Sequence, residues 1–337
     1  MKEKLVEVGK LLATPKKIVI TSHRNPDGDA IGSSLGLHLF LQQKGHNSTV
    51  IMPSEYPDFV AWMEGSESIL IHDTHPEIAN LALNEADIIF ILDYNDLERV
   101  DKMGEKIAEL KETVKIMIDH HLHPEDFCHF TFSDTKASST CEMVYDFIVG
   151  MGEQAKINPS IGECLYSGIL TDTGSFKYST SSKLFRVVAE LKDMGVDDVK
   201  LQNLLFNSLQ EKSLRLLGYC LHNRMEILEE YHTGIIYLTK SDYELFDIQR
   251  GDTEGIVNYL LMMKNVKLAA FITEQPTIVK ISLRSKGDFS VQEIAKKHFR
   301  GGGHKNASGG ASFKGLRSTI NKFKKVLPDY KQALDAL

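Results

Sequence analysis

Short apolar runs alternate with longer amphipathic stretches through the first half of the chain. Several runs are apolar and β-branched at consecutive positions, which is typical of strands buried on both faces of a parallel sheet. The stretches between them have helical periodicity, and Gly45 stands where the C-terminal cap of a helix belongs. We predict strands at residues 17–23, 48–52, 68–72, 88–94, 115–120 and 129–133, and helices at 30–44, 97–111 and 139–149. This alternation predicts an open, mainly parallel α/β sheet with helices on both faces.

The pattern changes after this sheet. Residues 161–171 continue the first domain, and residues 181–212 are predicted as two helical segments. A smaller α+β domain with a basic C-terminal helix follows, with strands predicted at 234–239, 267–273, 277–285 and 307–313 and helices at 253–263 and 290–299. We therefore predict a first domain at residues 1–185, a helical connector at 186–224 and a second domain at 225–337, on the far side of a cleft.

Composition narrows the class of protein. The 337 residues are 42% hydrophobic, which suits two globular domains, and the net charge of -7 argues against a protein that coats long duplex nucleic acid. A short nucleic acid whose phosphates meet metal ions stays compatible with that charge. The four cysteines form no CxxC pair, so reduced thiols are expected. No signal-peptide core and no run of about 18 apolar residues is present, so we expect a cytoplasmic protein without a membrane partner.

Carboxylates and imidazoles concentrate where the predicted apolar elements end. In an open α/β sheet, ligands bind outside the carboxyl ends of the strands, so these side chains are expected to converge. A proline and a glycine mark a tight loop after the first strand, which holds three of them. The residues concerned are His23, Asp27 and Asp29 in this loop, then Asp93, then Asp119, His120 and His121, and finally Asp172.

Each of these positions also has an ordinary structural explanation when it is taken singly. Asp29 could cap the helix that follows, and Asp93 or Asp172 could be turn residues. Together, however, five carboxylates and three histidines would repel or take up protons unless cations compensate. A mixed oxygen and nitrogen ligand set without thiolate suits manganese, cobalt or iron. The number of ligands predicts two ions, roughly 4 Å apart, with a bridging carboxylate.

This order of motifs resembles the DHH phosphoesterases. The pattern is His-x-x-x-Asp-x-Asp, a strand-end Asp, Asp-His-His and a late Asp. Downstream, residues 301–309 read Gly-Gly-Gly-His-Lys-Asn-Ala-Ser-Gly, which is similar to the glycine-rich signature of the associated DHHA1 domain. The resemblance covers essentially the whole chain. The motifs in sequence are far more specific than the Asp-His-His triplet alone.

The resemblance implies a role for each residue of the metal site. His23 and Asp27 would hold one ion, Asp29, His120 and Asp172 would hold the other, and Asp93 would bridge both. His121 would face the scissile phosphate, and Asp119 would support the histidines from behind. Manganese is the favoured metal, with cobalt or magnesium as alternatives. The two ions would activate a bridging water for in-line attack on phosphorus.

A second group of residues is predicted to bind substrate. Glycines let the backbone approach a phosphate closely, and a guanidinium gives it a two-point contact. The group consists of Arg284, Gly301, Gly302, Gly303, His304, Lys305 and Asn306. A flexible glycine hairpin with solvated lysines is the alternative, and the metal motifs upstream disfavour it. Arg300 stands where many relatives have glycine, which leaves the substrate length open.

The resemblance also separates the branches of the family. Inorganic pyrophosphatases carry a different second domain, single-strand DNA exonucleases are much longer, and membrane-anchored cyclic-dinucleotide phosphodiesterases carry sensory and transmembrane regions. We therefore predict the short branch that cleaves single-stranded RNA fragments of a few nucleotides and removes the 3′-phosphate of 3′-phosphoadenosine 5′-phosphate (pAp). A soluble phosphodiesterase of cyclic or linear dinucleotides and a non-catalytic nucleotide sensor remain open. Cleavage polarity and a homodimer are also undecided.

Overall fold

The computed structural model describes residues 2–207, 210–249 and 251–337. The chain forms two compact units, Met1–Ser208 and Leu209–Leu337. Residues 186–224 were predicted as a connector; among the described residues of this range, the helices Ser182–Asp193 and Asp198–Phe206 belong to the first unit and the helix Glu211–Asn223 to the second. The helices before residue 208 bury Leu191, Leu201 and Leu205 in the first core, whereas the next helix buries Leu216 and Cys220 in the second.

The first unit is built on a six-stranded sheet in which every pairing is parallel. Its strands are β1 (Lys17–Thr21), β2 (Asn47–Met52), β3 (Leu70–Ile71), β4 (Ile88–Leu92), β5 (Val114–Asp119) and β6 (Phe130–Ser133). Their order across the sheet is β3-β2-β1-β4-β5-β6. The predicted parallel α/β architecture is confirmed. Four of the six predicted strands were one or two residues too long at their carboxyl ends, so that His23, Asp93 and His120 lie just beyond the strands, whereas the strands predicted at 48–52 and 129–133 end where expected.

Helices cover both faces of this sheet. Alternate strand residues point to opposite faces, so Ile18 and Phe90 pack in one core while Val19 and Ile89 pack in another. The helices are α1 (Lys2–Leu11), α2 (Gly28–Gln43), α3 (Pro76–Glu85), α4 (Lys102–Glu109), α5 (Thr140–Gly150), α6 (Pro159–Asp172), α7 (Ser182–Asp193) and α8 (Asp198–Phe206). Within the described residues, none of the helices has the length and apolar composition needed to cross a bilayer.

Glycines let α2 and α6 approach each other closely. A Cβ atom added at Gly32 would lie 2.4 Å from the carbonyl oxygen of Cys164, and one added at Gly168 would lie 2.8 Å from Oδ1 of Asp29. Neither position tolerates a side chain without moving a helix. Asp172 is the last residue of α6. The contact therefore places the beginning of α2, with Asp29, beside the carboxyl end of α6.

The second unit contains a mixed sheet with the order β11-β12-β10-β9-β8-β7, in which only the β8–β9 pairing is parallel. The predicted α+β class is confirmed, although the short strands β7 and β11 were not predicted. The elements are α9 (Glu211–Asn223), β7 (Met225–Leu228), β8 (Thr233–Leu238), α10 (Lys240–Leu245), α11 (Ile256–Leu261), β9 (Leu268–Glu274), β10 (Val279–Ser285), α12 (Val291–His298), β11 (Gly302–Gly303), β12 (Ala307–Ser312), α13 (Leu316–Val326) and α14 (Lys331–Asp335).

Two predicted helices are shorter than their periodicity indicated. Residues 97–111 form a 3₁₀ turn, Leu97–Val100, followed by α4, because Asp101 adopts a φ of 47° that interrupts the helix. Residues 253–263 contain only α11, since Gly255 has a φ of 75° immediately before it. In both cases a left-handed residue breaks an otherwise amphipathic pattern.

Candidate metal centre

The loop between β1 and α2 holds the first three predicted ligands. His23 lies two residues beyond β1 and is buried. Asp27 caps α2, since its Oδ1 accepts hydrogen bonds from the backbone N–H of Asp29 (3.0 Å) and Ala30 (3.1 Å). The residue that caps this helix is thus Asp27 and not Asp29. Asp29 is fully buried in the first turn of α2.

Asp93 follows β4 at the carboxyl edge of the sheet. Its φ of 61° lies in the left-handed region, which Asp adopts more readily than most residues. The guanidinium of Arg99 donates a hydrogen bond to the carbonyl oxygen of Asp93 at 3.2 Å. The side chain of Asp93 is almost fully buried, with 2% of the residue exposed. The turn therefore directs a buried carboxylate into the region where the other predicted ligands lie.

The first group of ligand atoms comes from His23, Asp27 and Asp93, and these atoms lie within 4.8 Å of one another. The Nε2 atom of His23 is 3.3 Å from Oδ2 of Asp93 and 4.0 Å from Oδ1 of Asp27. Its Nδ1 lies 2.9 Å from the carbonyl oxygen of Arg24, to which it donates as the protonated ring nitrogen. That hydrogen bond leaves the Nε2 lone pair directed at the carboxylates, as a metal-binding imidazole requires.

The second group comes from Asp29, His120 and Asp172, again within 4.8 Å of one another. The Nε2 atom of His120 is 3.2 Å from Oδ2 of Asp172 and 3.9 Å from Oδ2 of Asp29. The Nδ1 atom of His120 lies 3.3 Å from the carbonyl oxygen of Ala137, which favours the same tautomer as in His23. Both imidazoles therefore present Nε2 to buried carboxylates.

Asp93 contacts both groups through different oxygens. Its Oδ2 faces His23, whereas its Oδ1 is 3.5 Å from Nε2 of His120. The hydroxyl of Thr140 donates to the same Oδ1 at 3.0 Å. A carboxylate placed in this way has the geometry of a ligand shared between two cations.

The Asp119 carboxylate orients the second histidine of the triplet. Its Oδ2 accepts from the backbone N–H of His121 at 3.0 Å, and its Oδ1 lies 2.7 Å from the Nδ1 of that ring. Asp119 is fully buried at the end of β5. The ring of His121 is therefore fixed with Nδ1–H donating to a carboxylate, which leaves Nε2 as the nitrogen for other chemistry.

The amino end of α5 binds the carboxylate of Asp29. The backbone N–H groups of Thr140 and Cys141 donate to its two oxygens at 2.6 and 2.9 Å. Helix amino ends favour negative charge because their first N–H groups lack partners within the helix. Ser139 caps α5, and its Oγ accepts from the N–H of Glu142. Asp29 is thus held by α5 while it lies in α2.

Burial and mutual repulsion together raise the pKa values of two of the carboxylates. Burial, together with the charge of Asp93, raises the pKa of Asp29 to about 7. Burial and the charge of Asp29 likewise raise the pKa of Asp172 well above its ordinary value. The pKa of Asp93 is lowered well below its ordinary value, because hydrogen bonds with His120 and His23 outweigh its burial. The protein alone thus leaves part of this negative charge uncompensated.

The pKa values of the two imidazoles are shifted by burial and by the same carboxylates. Burial opposes protonation of His120, yet its hydrogen bond with Asp93 and the charge of Asp172 raise its pKa well above the ordinary value. Burial lowers the pKa of His121, and the hydrogen bond with Asp119 only partly offsets this. The surroundings of His121 thus favour the neutral ring, whereas the carboxylates around His120 favour its protonated form. Buried carboxylates that recruit a proton in this way form clusters suited to metal binding.

The glycine-rich segment of the second unit is explained in part by packing. A Cβ atom at Gly301 would lie 1.9 Å from the carbonyl oxygen of Gly309, and Gly303 has a φ of 133°. These two glycines are therefore required by the close pairing of β11 with β12. A Cβ atom at Gly302 would meet nothing within 4 Å. Close approach of a phosphate to this segment remains a prediction.

Asn306 and Lys305, which follow the glycines, form contacts within the second unit. The amide nitrogen of Asn306 lies 2.9 Å from both Ser285 Oγ and the carbonyl oxygen of Gly287, so it holds the turn after β10. Lys305 forms an exposed ion pair with Asp288 at 2.7 Å.

Arg284 and His304 lie close to the same strands. Arg284 pairs in register with Ala307 of β12, and its Nη1 donates to the carbonyl oxygen of Leu283 at 3.0 Å. The backbone N–H of His304 donates to the carbonyl oxygen of Ala307 at 2.8 Å. A substrate contact by Arg284, His304, Lys305 or Asn306 stays a prediction.

Sequence reasoning missed two residues that contact Asp93. Thr140 reaches its carboxylate and Arg99 reaches its backbone. The Ser-x-x-Glu pattern at Ser139 signals the start of a helix, and hence a site for a carboxylate. Nothing in the local sequence showed that the carboxylate bound at this helix start is that of Asp29, because Asp29 and Thr140 are 111 positions apart.

The two units match two family models in the order that the motifs indicated. Residues 17–169 match the DHH family, N-terminal domain, and residues 236–334 match the DHHA1 domain. The bifunctional oligoribonuclease and PAP phosphatase NrnA of Thermus thermophilus is 31% identical over 318 residues, which cover 93% of this chain and 90% of that protein. The chain belongs to the DHH family. The resemblance seen in the sequence is confirmed, and the protein is a DHH phosphoesterase.

Two further proteins are similar to this chain over most of its length. An exopolyphosphatase-related protein from Bacteroides fragilis has a crystal structure that is 42% identical, with a TM-score of 0.95 over 99% of this chain and 98% of that chain. The cyclic-di-AMP phosphodiesterase PdeA of Listeria monocytogenes is 27% identical over 307 residues, which cover 87% of this DHH phosphoesterase but only 44% of that protein. The fold of both units is therefore shared with a solved member of similar length.

Proposed function

We propose that this DHH phosphoesterase hydrolyses short oligoribonucleotides and pAp with two divalent ions, and that the ions are Mn²⁺. The observation that carries this proposal is Asp93, whose two oxygens face two separate groups of histidine and carboxylate ligands. A site that mixes imidazole nitrogens with carboxylate oxygens favours manganese over magnesium, because magnesium is typically bound by oxygen ligands alone. When bound, the two ions would supply Lewis acidity for attack on phosphorus and neutralise charge on the phosphate.

We assign the metal ligands to the two ions as the resemblance implied. His23 and Asp27 would hold one ion, Asp29, His120 and Asp172 would hold the other, and Asp93 would contribute to both. The amino end of α5 orients the carboxylate of Asp29, and the buried Asp119 orients His121.

His121 is proposed to act on the scissile phosphate. With Nδ1–H donating to Asp119, the neutral ring offers Nε2 as an acceptor for a proton from the attacking water or from the substrate. The lowered pKa of His121 supports a proton-accepting role rather than a permanent positive charge. Arg99 adds a positive charge that acts on both His121 and His23.

The substrate assignment rests on the relatives and on the second unit. The Thermus thermophilus relative, which this chain matches over 90% of its length, is named for both oligoribonuclease and PAP phosphatase activities. Arg284, Gly302 and His304 are proposed to bind the phosphates of such substrates, since a guanidinium suits that ligand and the open space around Gly302 lets it approach the backbone. A small binding unit favours short substrates, because contacts remote from the reacting bond can only be made to what the unit holds.

A second candidate is hydrolysis of cyclic dinucleotides. It is favoured by the match to the Listeria monocytogenes relative, which is named a cyclic-di-AMP phosphodiesterase. The test is Mn²⁺-dependent turnover of pAp, of a series from di- to pentaribonucleotides, and of cyclic di-AMP, measured side by side with purified protein. We expect turnover of pAp and of the short RNAs. If only cyclic di-AMP were cleaved, the oligoribonuclease assignment would be wrong and the second candidate would replace it. If none of the three substrates were turned over, the result would favour a nucleotide-binding protein without catalytic activity.

A further inference from the structure

A long segment of the second unit carries positive charge and no acidic residue. Residues 294–328 contain nine of the 39 Lys and Arg residues and none of the 46 Asp and Glu residues. Because the whole chain has a net charge of -7, the residues outside this segment carry a net charge of -16. The positive charge is therefore concentrated in a chain that is acidic elsewhere, which is the distribution expected for a local polyanion site.

The structure gathers part of this charge on one side of α13. Its apolar side is buried through Leu316, Thr319 and Phe323. Its opposite side, which we call the basic face, is exposed and lines a single shallow depression. The basic face consists of Lys314, Arg317, Ser318, Asn321, Lys322 and Lys325.

Three charges of the basic face are not neutralised by the protein. Across the part of the chain that the structure describes, Lys314, Arg317 and Lys325 take part in no ion pair, whereas Lys324, off this face, pairs with Glu226 at 2.6 Å. Lys322 is anchored, since its Nζ donates to the carbonyl oxygen of His298 and lies 4.9 Å from the ring centre of Phe299. The face thus combines one fixed cation with three that remain available to an anionic partner.

An exposed aromatic ring adjoins the basic face. Phe313 precedes Lys314 and is 69% exposed, although most of the aromatic rings in this unit are packed. The guanidinium of Arg300 lies 5.3 Å from the centre of its ring. A ring held beside cations offers a surface on which an unpaired base can stack, with the charges placed for the adjoining phosphates.

We propose that the basic face, together with Phe313, is a second RNA-binding surface that holds the backbone of a single strand too long to fit a mononucleotide site. This inference rests on the proposed function for its choice of RNA. It extends that function, because it assigns the enzyme a contact with RNA outside the glycine-rich segment. Phosphates bind Lys314, Arg317 and Lys325, Asn321 donates a hydrogen bond, and one base stacks on Phe313.

A single strand fits this surface better than other polyanions. The bases of a duplex are stacked on one another and leave none for Phe313. A membrane-binding helix needs an apolar side turned to the lipid, but the apolar side of α13 is buried and Phe313 is a lone ring. A flexible strand can instead follow the three unpaired cations along α13, which spans roughly 16 Å.

The test compares two variants that each lose three positive charges. One is the triple variant Lys314→Gln/Arg317→Gln/Lys325→Gln. The matched control replaces three exposed lysines of the first unit, Lys10→Gln/Lys102→Gln/Lys111→Gln. Binding of a fluorescein-labelled oligouridylate of about 12 nucleotides is followed by anisotropy in EDTA between about 50 and 200 mM KCl. Turnover of pAp with Mn²⁺ is measured separately for all three proteins.

We expect the first variant to bind the oligouridylate about tenfold more weakly than wild type, with a salt slope smaller by about 2 because three phosphate contacts are lost. The control should keep the wild-type slope, and pAp turnover should be the same in all three proteins. Equal slopes in the two variants would overturn the proposal. So would loss of binding to phosphatidylserine vesicles without loss of RNA binding. If the first variant is not folded by circular dichroism, Arg317→Gln should reduce the slope by about 0.7.

The two proposals fail independently in this design. Absence of pAp turnover in the wild-type protein would refute the proposed activity but would leave the anisotropy result readable. Normal pAp turnover with no detectable binding of the oligouridylate by wild type would refute the basic face alone.

Discussion

At the scale of single residues, Asp93 is held by contacts that act on its backbone and its carboxylate separately. Arg99 binds its carbonyl oxygen, and Thr140 binds Oδ1. The left-handed backbone of Asp93 is thereby stabilised, and the carboxylate is left with its two oxygens facing His23 and His120. The charge of this residue is also maintained, since the imidazoles lower its pKa.

We expect Asp93→Ala to abolish binding of both ions and to reduce kcat by roughly a thousandfold, because loss of a shared ligand removes several kcal/mol of charge stabilisation. Inductively coupled plasma mass spectrometry would give the number of bound ions, and steady-state kinetics with pAp would give kcat. Asp126→Ala, which removes an exposed carboxylate, should leave both unchanged. Two tightly bound ions and a near-normal kcat in Asp93→Ala would refute the shared-ligand assignment.

The second residue-scale prediction concerns Arg284. Arg284 and Lys280 lie on the same face of β10, because the side chains of a strand alternate. We expect Arg284→Ala to raise KM for pAp about tenfold with little change in kcat, since a charge-assisted contact to a bound phosphate is lost. Lys280→Ala is the matched change on this face and should leave KM unaltered. A fall in kcat with unchanged KM would instead assign Arg284 to the reacting phosphate.

At the scale of elements, the metal centre depends on how closely α2, α5 and α6 pack. The clustering of the candidate ligands was predictable because each follows an apolar run, and the fold brings these residues together. The support for Asp29 was not predictable, since it comes from backbone N–H groups of a helix far away in sequence. The interruption at Asp101 was also missed, because periodicity does not report a single left-handed residue.

Gly168 and Gly218 provide a matched pair for testing this packing. A Cβ atom at Gly168 would lie 2.2 Å from Cys141 Sγ and 2.8 Å from Asp29 Oδ1, whereas one at Gly218 in α9 would meet nothing within 4 Å. We expect Gly168→Ala to destabilise the protein by about 1–3 kcal/mol and to weaken Mn²⁺ binding. Gly218→Ala should stabilise it by up to about 1 kcal/mol.

Urea unfolding and Mn²⁺ titration of both variants measure these effects. If the free energy of unfolding and the Mn²⁺ affinity of Gly168→Ala equalled those of wild type, the close packing of α2 on α6 could not be what positions Asp29.

At the scale of the whole molecule, the pKa values of the metal centre link stability to pH. The pKa of Asp29 is raised from its ordinary 3.8 to about 7, so the folded protein binds more protons than the unfolded chain between these values. The stability of the metal-free protein therefore falls as pH rises through this window. Asp172 and His120, whose pKa values are also raised, act in the same direction. Asp93 and His121, whose pKa values are lowered, act in the opposite direction, Asp93 only at more acidic pH.

Metal ions displace these protons, so their stabilising effect should grow with pH. We expect the rise in Tm caused by Mn²⁺ to be larger at about pH 7.5 than at about pH 5.5, and the Tm of the metal-free protein to be lower at the higher pH. Differential scanning calorimetry with and without EDTA measures both. A metal-induced shift that is independent of pH would show that no proton leaves the site when the metal binds.

The division of the chain into units shows what periodicity can and cannot predict. The helices of residues 181–212 were predicted from their pattern, but the unit to which each belongs depends on which core accepts its apolar side. Leu201 packs in the first core and Leu216 in the second. The partner of an apolar side is a tertiary property, and one sequence alone does not contain it.

The position of Asp93 between two ligand groups has a consequence for how the enzyme acquires its metal. Two ions held by one carboxylate would share its charge, so the affinity for one ion would depend on whether the other is bound. By linkage this dependence is reciprocal. A metal titration of the enzyme is therefore expected to depart from the curve for two independent sites.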